Sequence, residues 1–428
     1  MLEHSGTTSF DAGWLSSPAH HSWLLSQVHQ LLSFYQYTAS DPKGGFFQLD
    51  DYGRPQPVAE RQLVVTSRMV HSFSLAHMLG RPGAAPLIDH GLRFLKDTHR
   101  DSRHGGYYWV VDHEGPVDAS KQAYGHAFVL LAASSAVMAE RPGAAELLDD
   151  IWSVLEQHFW SESDGLIVEE YEEDWTGPGP YRGQNSNMHL VESLLAAFEA
   201  TGDQVYLQRA TRIAERLIPD LATKNGWYLA EHYTENWEVD PEYNRDDPEN
   251  VYRPYGSVVG HWMEWSRLLL QLRVSVESPP EWMLNSSRRL FDSAVSEAWD
   301  KELGGFVYTV DFDGTALNRD RYWWPVCEAI GAAAMLADVT RESQYEQWYR
   351  TFWDFADRYL IDHRRGSWQH LLDPTNSPKH VPGVVTGKWD LYHSLQSCLI
   401  PLLPSDAGIG ASLRDNRFRL PMVTTMSS

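Results

Sequence analysis

The sequence predicts an all-α fold, an (α/α)6 barrel in which six inner helices are ringed by six outer ones, with short β-hairpin-like loops between them. Three observations carry this: a repeat of about sixty residues, twelve stretches of helical periodicity, and a split of those stretches into two burial classes. Six segments share a glycine followed by aromatic or β-branched residues, often closed by an acidic turn. They lie at 44–53 (GGFFQLDDYG), 105–115 (GGYYWVVDHEG), 164–175 (DGLIVEEYEEDW), 225–237 (NGWYLAEHYTENW), 304–314 (GGFVYTVDFDG) and 365–373 (RGSWQHLLD). Their aligned glycines, Gly45, Gly106, Gly165, Gly226, Gly305 and Gly366, stand 61, 59, 61, 79 and 61 residues apart. A second ladder keeps the same period: Gly80-Arg81-Pro82-Gly83-Ala84-Ala85 recurs as Glu140-Arg141-Pro142-Gly143-Ala144-Ala145, with weaker turns at 201–203, 278–280 and 340–342.

Between these markers apolar positions recur at helical spacing through 19–38, 61–79, 84–99, 119–139, 144–159, 187–200, 203–219, 257–275, 280–298, 325–339, 343–361 and 388–402. Each pair encloses a tight Pro/Gly turn and is joined to the next by a longer loop carrying a Gly-aromatic segment. Odd helices such as 84–99 and 144–159 have a polar face (Arg93, Lys96, Asp97; Asp149, Asp150, Glu156). Even ones, as in 127–139 and 330–337, are small and apolar almost all round, which requires burial. Two burial classes favour a closed ring over an open solenoid. The expected organisation is one catalytic domain over 1–403 and an irregular Pro/Gly/Ser-rich tail over 404–428. The fourth repeat carries about eighteen extra residues, near 238–253, and a loop of that length predicts a lid or rim.

Composition narrows the function. A formal net charge of −23 argues against a nucleic-acid or anionic-membrane surface. No apolar run approaches the roughly 18 residues that span a bilayer. The opening Met1–Gly6 lacks the basic and apolar regions of a signal peptide. The only cysteines, Cys327 and Cys398, fall inside apolar helical patterns and read as buried thiols, not as a disulfide or zinc ligands. A cytoplasmic protein is expected. Most of its 18 tryptophans will be core, but their flat faces also stack on sugar rings, so the composition suggests a sugar site. With the resemblance described below, a monosaccharide is the expected partner; self-association as a homo-oligomer is left open.

Chemistry-bearing residues gather where the even helices begin. The stretch 256–267 (GSVVGHWMEWSR) puts His261 and Glu264 one turn apart on one helical face, at the mouth of a buried helix. Tyr124, Asn185 and His189, Glu328, and Trp389, Asp390 and His393 start the other even helices, and Arg68 sits on the helix of 61–79. Polar groups from six elements converge, which is costly inside a barrel unless they are used. Lys121 and His126 are assigned to rim or wall. His189, His261 and His393 come from three helices without His-Glu-x-x-His or cysteine support, so no metal and no cofactor is expected. Glu264 with Glu328 or Asp390 keeps an inverting glycoside hydrolase open as a remote alternative. Paired histidines fit sugar isomerisation better, because imidazole titrates near neutrality and passes protons between adjacent carbons or to a ring oxygen.

These residues carry a resemblance. The chain is similar to the N-acylglucosamine 2-epimerase superfamily and, within it, to aldose–ketose isomerases acting on mannose or sulfoquinovose. The likeness spans nearly the whole chain, through Thr66-Ser67-Arg68-Met69, Gly80–Gly83, Asp118–Gln122, Asn185–His189, Gly260–Trp265 and Asp390–His393. It implies an (α/α)6 barrel and metal-free interconversion of D-mannose and D-fructose through a cis-enediol(ate). Sulfoquinovose isomerisation and sugar 2-epimerisation are its alternatives. By matching motifs it implies a site of Arg68, Tyr124, Asn185, His189, His261, Glu264, Glu328 and His393. His261 would shuttle the proton between C2 and C1, and His393 would open the ring. His370 and Val64 depart from the sulfoquinovose pattern at the sugar's C6 end. Glu264 is expected to support His261, and that single self-sufficient base favours isomerase over epimerase.

Overall fold

Alanine, glycine, serine and short aliphatic side chains fill Ala123–Met138, so this helix can be surrounded by others at close range. The structure, a computed structural model, describes residues 13–56, 58–380 and 387–419. The expectations for Met1–Gly6 and for 420–428 lie outside those residues. The inner ring consists of α2 (Leu63–Met78), α4 (Ala123–Met138), α6 (Gln184–Thr201), α8 (Val259–Ser275), α10 (Trp323–Thr340) and α12 (Tyr392–Leu399). Around it stand α1 (Pro18–Gln36), α3 (Ala84–Phe94), α5 (Ala144–Val154), α7 (Gln204–Glu215), α9 (Glu281–Glu297) and α11 (Ser343–Phe355). Each inner helix packs against its inner neighbours, and α12 touches both α10 and α2. The first helix, α1, serves as the outer partner of α12, so the two ends of the chain close the ring. Each fully buried aliphatic side chain contributes roughly 1.5–3 kcal/mol before chain entropy is counted.

Local signals place the helix ends. Ser17 caps α1 through its hydroxyl, with Pro18 at the first position, and Asp203 caps α7 by accepting from Val205 N at 3.0 Å. Gly83 and Gly143, in the repeated tight turns, hold φ of 80° and 79°, a conformation that β-carbon-bearing residues rarely adopt. Four outer helices end in a wide π turn, at Leu95–His99, Leu155–Phe159, Arg216–Leu221 and Ala356–Leu360. The stretch expected to be an irregular tail contains a short helix, α13 (Ile409–Arg414). It covers the barrel end formed by the C-termini of inner helices, where Glu199 of α6 accepts from Gly408 N at 2.6 Å. Among the described residues no helix is long and apolar enough to cross a membrane, and both cysteines are buried and free.

The opposite end is stitched by antiparallel strands of two or three residues. Those preceding α2, α4, α6, α8 and α10 each pair with the segment after the next Gly-aromatic turn: Arg61–Gln62 with Val110–Val111, Lys121–Gln122 with Glu170–Tyr171, Arg182–Gly183 with His232–Tyr233, Ser257–Val258 with Thr309–Val310, and Arg321–Tyr322 with Leu371–Leu372. A bridge between Lys388 and Leu49 joins the last repeat to the first. Three of these strands, and the Lys388 bridge, begin with a cation that meets a turn aspartate: Arg61–Asp41 at 2.7 Å, Lys121–Asp101 at 2.8 Å, Arg321–Asp300 at 2.7 Å and Lys388–Asp362 at 2.9 Å, with Asp300 half-buried and the other three buried. Helix α4 therefore begins at Ala123, later than the periodicity at 119–139 suggests, because Lys121 and Gln122 belong to the rim. For the same reason α12 begins at Tyr392, and Trp389 and Asp390 precede it.

Candidate active site

The N-terminal ends of the inner helices surround a cavity of about 830 Å³, counting the space at its mouth. Every side chain assigned to the site from its motifs lines it except Glu328, which stands behind His393; His370, expected at the sugar's C6 end, does not line it either. The fourth-repeat insertion reaches over it with Val251, Tyr252 and Pro254, as a rim loop should. Lys121 and His126 stay outside: the first belongs to a rim ion pair, and the second accepts from Tyr107 N at 3.0 Å within the wall.

Two histidines are held the same way. His393 Nδ1 lies 2.8 Å from Glu328 Oε1. His261 Nδ1 lies 2.9 Å from Glu231 Oε2 and 3.0 Å from Oε1. A carboxylate on Nδ1 fixes the tautomer and leaves Nε2, on the far side of the ring, as the proton-accepting atom. The partner of His261 is thus Glu231, not Glu264 as expected. Residues three apart do share a helical face, but Glu264 points down the barrel axis, where its Oε1 lies 3.5 Å from Arg267 Nη2 and 3.7 Å from His189 Nδ1. Gln184 completes the support of Glu231: its amide donates to Oε2 at 2.8 Å, while its oxygen accepts from Trp265 Nε1 at 2.8 Å.

Both imidazoles flank one indole. The Trp324 ring centre is 5.1 Å from that of His261 and 5.6 Å from that of His393. Gly260 permits this approach, since a β-carbon there would stand 2.2 Å from the Trp324 ring. Across the cavity Arg68 Nη1 meets Asp390 Oδ2 at 3.3 Å and its Nη2 donates to the Tyr124 hydroxyl at 2.9 Å, while the guanidinium packs against the rings of Phe128 and Tyr392, 4.4 and 4.8 Å from their centres. Burial keeps the Tyr124 hydroxyl protonated, its pKa pushed up to about 12. Asn185 Oδ1 is buried with no hydrogen-bond partner among the described residues, an acceptor left for a ligand.

Charge on the barrel axis centres on Arg267, which no part of the sequence reading used. Its Nε donates to Glu328 Oε2 at 2.7 Å, and Nη2 lies 3.4 Å from Glu192 Oε1. Burial lowers the pKa of His189 to about 4 and that of His393 below its usual value, the Glu328 contact opposing the latter. Two buried groups, His189–Glu192–Glu264 and Glu264–Glu328–His393, have potential ligand atoms within 4.8 Å of one another. Arg267 already supplies a positive charge to both. His370 stacks on Trp323 at 3.8 Å and 7°, with neither ring nitrogen hydrogen-bonded among the described residues; burial pulls its pKa to about 3. Val64 lines the cavity.

A closed (α/α)6 barrel with one polar end, carrying two carboxylate-held imidazoles at one cavity, is the equipment of an acid–base enzyme. The chain belongs to the N-acylglucosamine 2-epimerase (GlcNAc 2-epimerase) family, whose model matches residues 44–397. It is 45% identical to a D-mannose isomerase of Thermobifida fusca, over 94% of this chain and 98% of the relative. It is 43% identical to a D-mannose isomerase of Pseudomonas cannabina pv. alisalensis, over 94% and 97%. A crystal structure of a D-mannose isomerase superposes with a TM-score of 0.85 at 35% identity, covering 90% of this chain and 98% of that one.

Proposed function

We propose that this chain is a D-mannose isomerase, interconverting D-mannose and D-fructose by metal-independent proton transfer through a cis-enediol(ate). The observation that carries the reading is the pair of histidines, each with Nδ1 on its own buried carboxylate and both beside the Trp324 ring. His393 opens the pyranose by moving the O1 proton toward the ring oxygen. His261 then removes the C2 proton and returns it to C1. Arg68, Tyr124, Asn185, His189, Trp389 and Asp390 hold the sugar, and Glu328 holds His393. Relatives called D-mannose isomerases, at 36–45% identity, support the choice of substrate. Among the described residues lining the cavity Arg68 is the one guanidinium or ammonium, and Asp390 already pairs with it, which speaks against a sulfonated sugar. The reading takes 1–403 as one cytoplasmic catalytic unit and 404–428 as its tail.

A 2-epimerase is the second reading, and one observation favours it. Returning the proton to C2 from the opposite face requires two well-placed bases, and both histidines have a carboxylate partner. The sequence argument for a single self-sufficient base therefore falls, and the preference for isomerase rests on the relatives. Chromatography at early times, with mannose, glucose, fructose and sulfoquinovose offered separately, separates the readings. Fructose forming first from mannose is expected; glucose forming first reassigns the chain to 2-epimerisation, and turnover of sulfoquinovose alone reassigns the substrate.

A further inference from the structure

Three buried carboxyl groups meet one guanidinium below the cavity, and hydrogen-bond donors are shared among them unequally. Both oxygens of Glu328 are engaged, one by Arg267 Nε at 2.7 Å and one by His393 Nδ1 at 2.8 Å. Glu192 accepts from the Tyr392 hydroxyl on one oxygen and from Gln396 Nε2 at 3.3 Å on the other. Glu264 has only long approaches, Arg267 Nη2 at 3.5 Å and His189 Nδ1 at 3.7 Å, both on Oε1, and its Oε2 accepts no hydrogen bond among the described residues although the residue is wholly buried. An ionised oxygen buried without a donor from the protein is costly, and protonation is the cheaper state.

Other groups facing Glu264 leave that balance unchanged. Arg68, from α2, is shared with Asp390; His189, from α6, is kept neutral by burial. Tyr124 and Tyr392, from α4 and α12, are protonated phenols. Burial first, then the charge of Glu328, pushes the Glu264 carboxyl well above its usual range. Burial pushes Glu192 and Glu328 the same way, but Arg267 and the histidine contacts outweigh it and hold both below theirs.

We propose that Glu264 acts as a neutral carboxylic acid relaying the hydroxyl proton between O2 and O1 of the sugar, and that Arg267 is the positioning residue that, by holding Glu328 and Glu192 ionised, leaves the proton on Glu264. This role rests on the isomerase reading, whose histidine shuttle moves only the carbon-bound proton. As His261 takes the C2 proton, the C2–H pair becomes the C1=C2 bond and the carbonyl pair collects on O1, which takes the proton of Glu264. The resulting carboxylate then takes the O2 proton. The O2–H pair becomes the C2=O2 bond, and the C1=C2 pair recovers the proton from His261 at C1. Glu264 and His261 end as they began. Both line the cavity from one face of α8, so a single sugar edge reaches both. A buried acid kept neutral at neutral pH is a known way to present a proton where oxyanion charge develops.

Infrared difference spectroscopy tests this without substrate. At neutral pH the wild-type protein should show the carbonyl band of a protonated carboxyl group, and Glu264→Gln should lack it. Arg267→Lys keeps the charge but not the three-way contact, and should gain a second such band; should it fail to fold, Glu264→Gln carries the test alone. Identical carboxyl bands in wild type and Glu264→Gln overturn the proposal while leaving the isomerase reading intact. If mannose is not turned over at all, the isomerase reading and the relay fall together, though the band remains. With mannose, Glu264→Gln should lose kcat by roughly 10²-fold with KM within about twofold, and Glu264→Asp should recover part of it. Wild-type kcat in Glu264→Gln also overturns the relay.

Discussion

At the rim, four aspartates each meet one cation, as in Asp101 with Lys121 and Asp362 with Lys388; on the axis, three glutamates share Arg267. The rim aspartates are fully occupied. Asp101 Oδ2 accepts from Lys121, while Oδ1 accepts from Arg103 N at 2.8 Å and His104 N at 3.0 Å, so one carboxylate ties a turn to a strand. Asp41, Asp300 and Asp362 repeat the arrangement. Burial draws Lys121 and Lys388 down while it pushes their aspartates up, yet ammonium and backbone donors bring Asp101 and Asp362 below the usual carboxylate range. We read the pairs as ionised, because the turn needs the carboxylate as an acceptor on both oxygens. A balanced pair with satisfied lone pairs holds structure; an unbalanced cluster has to keep a proton. The clamp is absent in the third and fourth repeats, where Ser161 takes the aspartate's place and Ser257 the cation's.

The largest effect should come from His261, the proposed carrier of the C2 proton. His261→Ala is expected to lower kcat by roughly 10³–10⁴-fold, the upper range for acid–base catalysis, and to stop solvent deuterium appearing at C2. Wild-type exchange in the variant would show that another group takes the C2 proton. His393→Ala should spare an acyclic sugar more than a pyranose.

Breaking a rim pair should do the reverse, costing stability and sparing chemistry. Asp101→Asn leaves Lys121 buried without its anion, and about 3 kcal/mol of unfolding free energy should be lost with kcat unchanged. The two levels should also respond oppositely to pH. A depressed aspartate stabilises the fold above its unfolded pKa, near pH ~4, and that contribution is lost as pH falls through the folded value. A raised Glu264 contributes fully below its unfolded pKa and loses that contribution as pH rises through the folded value. Denaturation against pH should therefore flatten on the acid side in Asp101→Asn and on the alkaline side in Glu264→Gln. Flattening on the same side would erase the distinction.

Glu231→Gln should cost roughly 10²-fold in kcat by allowing the wrong His261 tautomer, with little change in stability. This residue also shows where sequence reading ran out. The repeat and the two burial classes were enough to rank α2, α4, α6, α8, α10 and α12 inside, because periodicity and small-residue content are local properties. The clustering of Tyr124, His189, His261, Glu328 and His393 at one end followed from the same register. Glu231 lies in a rim segment instead, at a position whose carbonyl accepts from the first residue of α6; Trp109, Glu169, Tyr308 and His370 do the same for α2, α4, α8 and α10. These five stand three, four, five, three and four residues after their repeat's glycine, taken in chain order, so no fixed offset finds them. Arg267 was missed for another reason: one cation in an apolar helix gives no sign of what surrounds it until six helices meet.

The smallest expected effect is none, and it bears on both levels. Three carboxyl groups around one guanidinium can be relieved by a proton or by a second cation. The sets His189–Glu192–Glu264 and Glu264–Glu328–His393 are close enough to offer a divalent ion three ligand atoms each. Such an ion would require Glu264 ionised and would sit beside Arg267, whose Nη2 is 3.5 Å from Glu264 Oε1. Like charges at that range in a low-dielectric interior repel strongly, whereas a proton on Glu264 leaves a neutral group beside the guanidinium. The geometry therefore favours protonation, and exhaustive chelation should leave kcat, KM and the infrared band of Glu264 unchanged. Activity lost on chelation and restored by one divalent ion would put a metal where the proton is placed here, and the neutral acid and metal-free transfer would both be discarded.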